Sequence, residues 1–456
     1  MGKSYDAVLI GTGQATYTIV SELVKRGESV AVAEGDRVGG TCVNYGCTPT
    51  KTIVASARAA HMARRGEELG VRVGAVEVDF SRVMARQNAI RNGNSEGLQS
   101  YLEKHCDLYY GYASFAGTHS VRVGDEVIEA DRIYIHTGSR PRVPAVPGLD
   151  TVPYLDNARI LDLVHLPDHL IVLGGSYIAL EFAQAFRRLG SEVTVLQRSG
   201  RLVTREDEDV AHMIREFLER EGVRILCDVE VESVAEGDGG GVEVNIRRRD
   251  ETSSVAGSHL LLGLGRVPNS ERLNLDAAGV RTDEGGFIPV NDELQTNVPH
   301  IYAVGDINGR GAFTHTSVND GEIIVHNLRG ESWKVTDRHP TYALFTDPPL
   351  GRVGMNEITA RRSGRKVLMA TMPMSRVARA REKGETDGII KMIVDAETDR
   401  ILGATVLGVG GDEVIAMMSA WMYSDLPCRR YRRSVLPHPT VAELVPWVLD
   451  GLEPLE

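Results

Sequence analysis

A strand–glycine turn–helix–strand pattern that occurs twice predicts an α/β fold with two Rossmann-like dinucleotide-binding units. The first copy reads VLIGTGQAT, a helical stretch and VAVAEG; the second reads LIVLGGSYIALEFAQAFRRLGSEVTVLQR. The interval from Gly13 to Glu34 equals that from Ser176 to Gln197, so the two copies share one register. From about residue 336 the composition changes, which marks a further region.

In the first copy Gly11 permits the tight turn, and Gly13 lets the backbone approach a pyrophosphate at a helix N-terminus. Glu34 ends the second strand, where a carboxylate accepts hydrogen bonds from a ribose. Thr16 stands where a third glycine is usual. In the second copy Gly174 and Ser176 belong to the turn, and Ala179 replaces the last glycine. Ile178, Phe182, Ala185, Phe186 and Leu189 share one helical face. Gln197 ends the second strand, Arg198 follows, and Arg201 and Arg205 are near. NAD-binding units place a carboxylate there, whereas guanidinium groups suit a 2′-phosphate, so the reading is NADPH. Two units call for two dinucleotides, such as FAD and a nicotinamide.

Directly behind the first copy, GGTCVNYGCTPTK sets Cys42 and Cys47 five positions apart. A structural disulfide, two buried thiols and a metal site are the alternatives, although metal ligands usually come closer together with further His or Cys. Pro49 fixes the chain after Cys47, and Gly39, Gly40 and Gly46 allow close backbone approach. These flanks favour a redox-active pair beside a bound flavin, with no metal. Cys106, Cys227 and Cys428 have no partner spacing and read as bystander thiols.

These motifs resemble the class I pyridine nucleotide-disulfide oxidoreductases: glutathione reductase, dihydrolipoamide dehydrogenase, mercuric reductase and their relatives. The resemblance runs the length of the chain. It implies an FAD-binding domain in two parts (1–150 and 266–335), an NAD(P)H-binding domain (151–265) and a C-terminal α+β dimerisation domain (336–456) of antiparallel sheet and helices. IYIHTGSRPRVPAVPG, with Thr137 and Gly138, resembles the crossing out of the FAD domain, with His136 where alanine is usual. LLGLGRVPNSERLNLDAAGV, with Gly265 and Arg266, resembles the return crossing. IYAVGDINGRGAFTHTSVNDG, with Gly305 and Asp306, resembles the segment whose aspartate binds the flavin's ribityl chain. Gly40 and Thr41 complete the implied cofactor contacts.

By the same resemblance Cys42 is the interchange thiol that meets substrate and Cys47 faces the flavin. Lys51, one helical turn past Cys47, lies near the flavin ring and pairs with Glu181. Tyr177 covers the flavin and swings away for the nicotinamide. In HPTVAE, His438 is acid and base for the interchange thiol, oriented by Glu443, and Pro439 and Thr440 complete the motif. In the family this histidine reaches the cysteine pair of the other subunit, which implies a homodimer with shared active sites.

The composition narrows the partners. A net charge of -12 over 456 residues speaks against nucleic acid. No apolar run approaches the roughly 20 residues that span a bilayer, so no membrane partner is expected. The opening MGKSYDA carries no leader, and five cysteines in so long a chain fit a reducing compartment, so the expected location is cytoplasmic. EGDGGG at 236–241 reads as a loop between strands, and Met417, Met418 and Met422 as interface or core. In CRRYRR, Arg429, Arg430, Arg432 and Arg433 read as a solvated helix face, or as a substrate mouth that attracts carboxylates.

The expected enzyme is an NADPH-dependent FAD flavoprotein that reduces a small disulfide or comparable soft electrophile. A mercuric reductase is one alternative, on GGTCVNYGCTPTKT and SYIALEFAQAFRRLG, although GLEPLE lacks the vicinal cysteines that hand mercury inward. An NAD-linked dihydrolipoamide dehydrogenase component of a 2-oxo acid dehydrogenase complex is the other, and Gln197–Arg198 argues against it.

Overall fold

The apolar run of β1 (Ser4–Ile10) is buried on both faces, with Ala7, Val8 and Leu9 fully enclosed, as a central parallel strand requires. The computed structural model describes residues 3–237 and 239–455. After β1 come α1 (Thr16–Lys25), β2 (Val30–Glu34), α2 (Gly40–Tyr45), α3 (Cys47–Arg64) and α4 (Phe80–His105). Four more strands follow: β3 (Asp107–Tyr110), β4 (Ala113–Gly117), β5 (Ser120–Val123) and β6 (Glu126–Ile135). They order as β3-β2-β1-β6-β5-β4, parallel from β3 to β6 and antiparallel from β6 to β4. Strand order reverses beside β1, so the crevice at its carboxyl end is where a nucleotide binds in such a sheet.

The chain leaves through β7 (Ser139–Pro141) and builds a second sheet from β8 (His169–Leu173), α5 (Tyr177–Leu189), β9 (Glu192–Gln197), α6 (Glu208–Arg220) and β10 (Arg224–Cys227). A meander of β11 (Glu230–Glu236), β12 (Val242–Arg248) and β13 (Glu251–Gly257) precedes β14 (His259–Leu262). The second sheet is parallel, in the order β10-β9-β8-β14. The expected 236–241 loop joins β11 to β12, with Asp238 outside the described residues.

Both glycine turns solve one steric problem in one way. Gly11 and Gly174 have φ of +102° and +108°, and a Cβ on either would lie 2.4 Å from a carbonyl oxygen, that of His136 or Gly263. On α5, Phe182, Ala185, Phe186 and Leu189 are buried as their shared face predicts. Ile178 departs from that expectation at 39% exposed, because it lies in the first turn, where the helix has only just left the glycine turn.

The return strand β15 (Arg266–Pro268) pairs antiparallel with β7, binding the two crossings together, and β16 (Ile301–Ala303) adds to the first sheet beside β6. Next come α7 (Thr314–Leu328) and a six-stranded antiparallel sheet. Its strands are β17 (Thr341–Leu344), β18 (Leu350–Gly354), β19 (Val367–Pro373), β20 (Ile389–Asp395), β21 (Ile401–Leu407) and β22 (Glu453–Pro454). The helix Gly411–Ser424 covers this sheet, and Met418 and Met422 are buried in its core. Among the described residues no helix is long and apolar enough to cross a membrane.

Candidate active site

The chain breaks at Gly46 between α2 and α3, so Cys47 is the first residue of a long helix and Cys42 lies in the short one before it. Cys42 is half-buried, Cys47 is exposed, and both are free thiols. Cys47 Sγ lies 3.3 Å from Thr314 Oγ1, at the first residue of α7. The Cys47 thiol is pushed down to about 6, first by a hydrogen bond from Cys42 and then by Thr314 and the Lys51 charge, while partial desolvation by the surrounding protein opposes them although the residue keeps open surface. The Cys42 thiol moves up, because it donates to the Cys47 thiolate and is itself buried. A helix N-terminus favours an anion there as well. One turn along α3, Lys51 Nζ is 2.7 Å from Glu181 Oε2 and 4.7 Å from the centre of the Phe345 ring. Glu181 Oε1 accepts the Phe345 backbone N–H at 2.9 Å, so this buried carboxylate is held at both oxygens.

At the first glycine turn, Gly40 packs so closely that a Cβ on it would lie 3.0 Å from Gly13 Cα. Glu34 Oε2 accepts the Thr12 N–H at 3.0 Å and Oε1 accepts that of Asp36 at 2.9 Å; burial pushes this carboxyl up. The crossings bring the remaining first-site residues together. Thr137 Oγ1 donates to Asn269 O at 3.1 Å, and Gly138 O accepts the Asn269 N–H at 3.0 Å. Gly265 O accepts from Arg142 N at 2.9 Å. Arg266 donates through Nε to Ser139 Oγ at 2.7 Å and through Nη2 to Thr41 Oγ1 at 3.4 Å. Ser139 Oγ in turn donates to Asp306 Oδ2 at 2.5 Å, and Arg266 Nε is 3.7 Å from that oxygen. Gly305 N donates to the buried Asp320 at 2.7 Å. A backbone cradle without side chains, a desolvated carboxylate at the strand end and an aspartate with a neighbouring guanidinium are the groups that a pyrophosphate, a ribose and a ribityl chain require. These residues fit FAD.

The second turn repeats the first. Gln197 Oε1 accepts Gly175 N–H at 3.0 Å, as Glu34 does from Thr12, and its Nε2 donates to Arg201 O at 3.2 Å. Ser176 is exposed at the start of α5, and Arg198 and Arg205 are exposed beyond β9. The Tyr177 hydroxyl donates to Glu206 Oε1 at 2.6 Å, and Tyr342 and Arg352 converge on the same carboxylate.

His438 Nδ1 lies 3.0 and 2.9 Å from the two oxygens of Glu443, with its side chain 74% exposed. Of the arginine cluster, Arg429 pairs with Asp399 at 2.8 Å and Arg432 with Asp450 at 2.6 Å, the latter also over the Trp447 ring. Arg430 and Arg433 are exposed. Cys428 is buried and donates to Asp399 Oδ1 at 3.0 Å, away from the pair. An acidic trio of Asp207, Asp209 and Glu357 surrounds the buried Lys391 ammonium, which pairs with all three and offsets one of their charges. Ser139, Thr314, Glu206, Tyr342 and Arg352 were not legible in the sequence. A serine after TG and a glutamate inside EDED carry no signal until the fold supplies their partners.

Two family models cover nearly the whole chain: pyridine nucleotide-disulphide oxidoreductase over residues 5–321, and the dimerisation domain of the same group over residues 341–449. The chain belongs to the pyridine nucleotide-disulphide oxidoreductase family. It is a flavoprotein disulfide reductase, FAD-dependent, with an α/β body and the family's dimerisation domain. It is 36% identical to the probable pyridine nucleotide-disulfide oxidoreductase RclA of Escherichia coli (strain K12), over 97% of this chain and 98% of that one. It is 32% identical to the mercuric reductase of Lysinibacillus sphaericus, over 96% of this chain and 81% of that one. The dihydrolipoyl dehydrogenase of Bacillus subtilis (strain 168) is 30% identical over 95% and 96%. Among solved structures, the HOCl-induced flavoprotein disulfide reductase RclA from Escherichia coli, as a Cu(II) complex, superposes with a TM-score of 0.89 at 35% identity over 99% of each chain.

Proposed function

We propose that this enzyme is a homodimeric, cytoplasmic, NADPH-dependent reductase of low-molecular-weight disulfides. Residues 1–150 and 266–335 would hold FAD, residues 151–265 NADPH, and residues 336–456 the partner. One observation carries the reading: Cys47 opens a helix as a favoured thiolate, with Cys42 as its donor and the Lys51–Glu181 pair one turn away. Bound FAD supplies the two-electron relay between the nicotinamide and the Cys42–Cys47 pair.

The residues divide the remaining work. His438 of the partner subunit takes the proton of the Cys42 thiol, the Cys42 sulfur attacks one sulfur of the substrate, and the departing thiolate takes that proton back. The Cys47 thiolate then attacks Cys42, which closes the Cys42–Cys47 disulfide and expels the second sulfur as a thiolate that takes its proton from solvent. Glu443 holds the imidazole through Nδ1, which leaves Nε2 to carry the proton. Lys51 stabilises negative charge that develops beside Cys47. Gln197 leaves the ribose end without a carboxylate, and the exposed Arg198 suits a 2′-phosphate.

Steady-state NADPH oxidation against neutral and charged disulfides, mercuric ion and oxidised halogen species tests the substrate class. Disulfides should turn over fastest, and turnover of mercuric ion alone would replace this reading with the mercuric one. NADPH should be preferred over NADH by at least roughly tenfold in kcat/KM, about 1.4 kcal/mol. Arg198→Glu should abolish the preference, and an unchanged ratio would overturn the assignment.

A further inference from the structure

We propose that Glu206 is the latch of a gate at Tyr177, and that Tyr342 sets how easily the latch releases. This rests on the reading that Tyr177 covers the bound flavin and moves aside for the nicotinamide. Tyr177 is the first residue of α5, directly behind the second glycine turn, and on that reading its ring would stand in the path of the reduced nucleotide. Its hydroxyl donates to Glu206 Oε1 at 2.6 Å. Glu206 has no exposed surface, and its other oxygen takes Arg352 Nη1 at 2.8 Å. That pair alone would settle the buried charge.

The arrangement does more than settle the charge. Oε1 also accepts the Tyr342 hydroxyl at 2.7 Å, so two phenols from different segments share one oxygen. When Tyr177 swings out, Tyr342 still satisfies Oε1, and opening leaves no buried acceptor orphaned. Tyr342 itself stays put: its ring stacks on Phe313 at 5.4 Å, with planes 7° apart. Phe313 directly precedes α7, whose first residue, Thr314, touches Cys47. Glu206 is thus a positioning residue that joins the nicotinamide gate to the wall of the thiol site.

The two phenols have opposite effects on the gate, and this separates a latch from simple packing. Removing the Tyr177 hydroxyl frees the ring and raises the open fraction, so the apparent Kd for the nucleotide falls. Removing the Tyr342 hydroxyl leaves Oε1 dependent on Tyr177, so the gate tightens and the apparent Kd rises.

The experiment is calorimetric binding of NADP⁺ to the FAD-loaded wild type, Tyr177→Phe and Tyr342→Phe proteins. Stopped-flow reduction of the flavin by NADPH is followed in parallel. The expected result is about three- to tenfold tighter binding in Tyr177→Phe and about three- to tenfold weaker binding in Tyr342→Phe. Equal shifts in one direction, or none, overturn the latch. If Tyr342→Phe fails to retain FAD, Tyr177→Phe decides alone: tightening supports the latch, and no change or weakening overturns it. Failure of the wild type to bind NADP⁺ or to be reduced by NADPH would instead remove the NADPH reading, a result the variants cannot mimic.

Discussion

Cys47 owes its low titration chiefly to one neighbour, the Cys42 thiol, and less to Thr314 and Lys51. A serine in place of Cys42 still offers a donor, whereas an alanine does not. Both variants should lose disulfide turnover. In Cys42→Ser the Cys47 thiolate should remain populated above a pH of about 6. In Cys42→Ala its midpoint should climb toward the ordinary thiol value of about 8.5. The long-wavelength absorption of a thiolate in contact with oxidised flavin, titrated with pH, reads this directly. Identical midpoints would assign the low value to the helix N-terminus and Lys51 instead. The candidate residues of the proposed exchange are marked in the sequence because their signals are local: two cysteines at a fixed interval, a lysine one turn on, a histidine with its Pro, Thr and Glu. Thr314 is not, since only the fold brings it to Cys47 across 267 positions.

At the scale of elements, three pieces of the fold meet on one side chain. His136 directly follows the strand β6, with Nδ1 3.2 Å from Thr16 Oγ1 at the start of α1 and Nε2 3.0 Å from Ser317 Oγ in α7. The sequence marked Thr16 and His136 as two separate departures from the usual glycine and alanine. The structure shows one substitution answering the other, each polar group satisfied by its counterpart beneath the glycine turn. Burial holds the imidazole down at about 4, against an ordinary 6.5. As pH falls below 6.5 the unfolded chain takes up this proton and the folded chain refuses it, so stability is lost between pH 6.5 and 4 and not above. The whole shift corresponds to about 3 kcal/mol. Urea unfolding of the wild type and His136→Gln across this range should show a shallower pH slope in the variant. Parallel curves would mean that other groups carry the acid sensitivity. The two dinucleotide units themselves were legible because strand, turn and helix each have their own period. The β7–β15 pairing, which sets Arg266 and Ser139 on Asp306, was not, because three-residue strands carry no periodicity.

For the whole molecule, the proposed chemistry would require sharing between subunits. The Cys42–Cys47 pair belongs to the first sheet's helices, whereas His438 stands on the dimerisation domain, 74% exposed and oriented by Glu443. An imidazole held in place yet exposed is what the proposed site, completed across a two-fold axis, would require. Mixing two inactive homodimers tests it. A heterodimer of Cys42→Ser with His438→Gln has one site with both lesions and one site with neither. After subunit exchange at equal amounts half the dimers are mixed, so about one quarter of the wild-type activity should return. If each subunit instead used its own histidine, every site would carry one lesion and the mixture would stay dead. Recovery also has to scale with heterodimer, measured by differential tagging. Activity that appeared without exchange would point to contamination by wild type and leave the shared site without support.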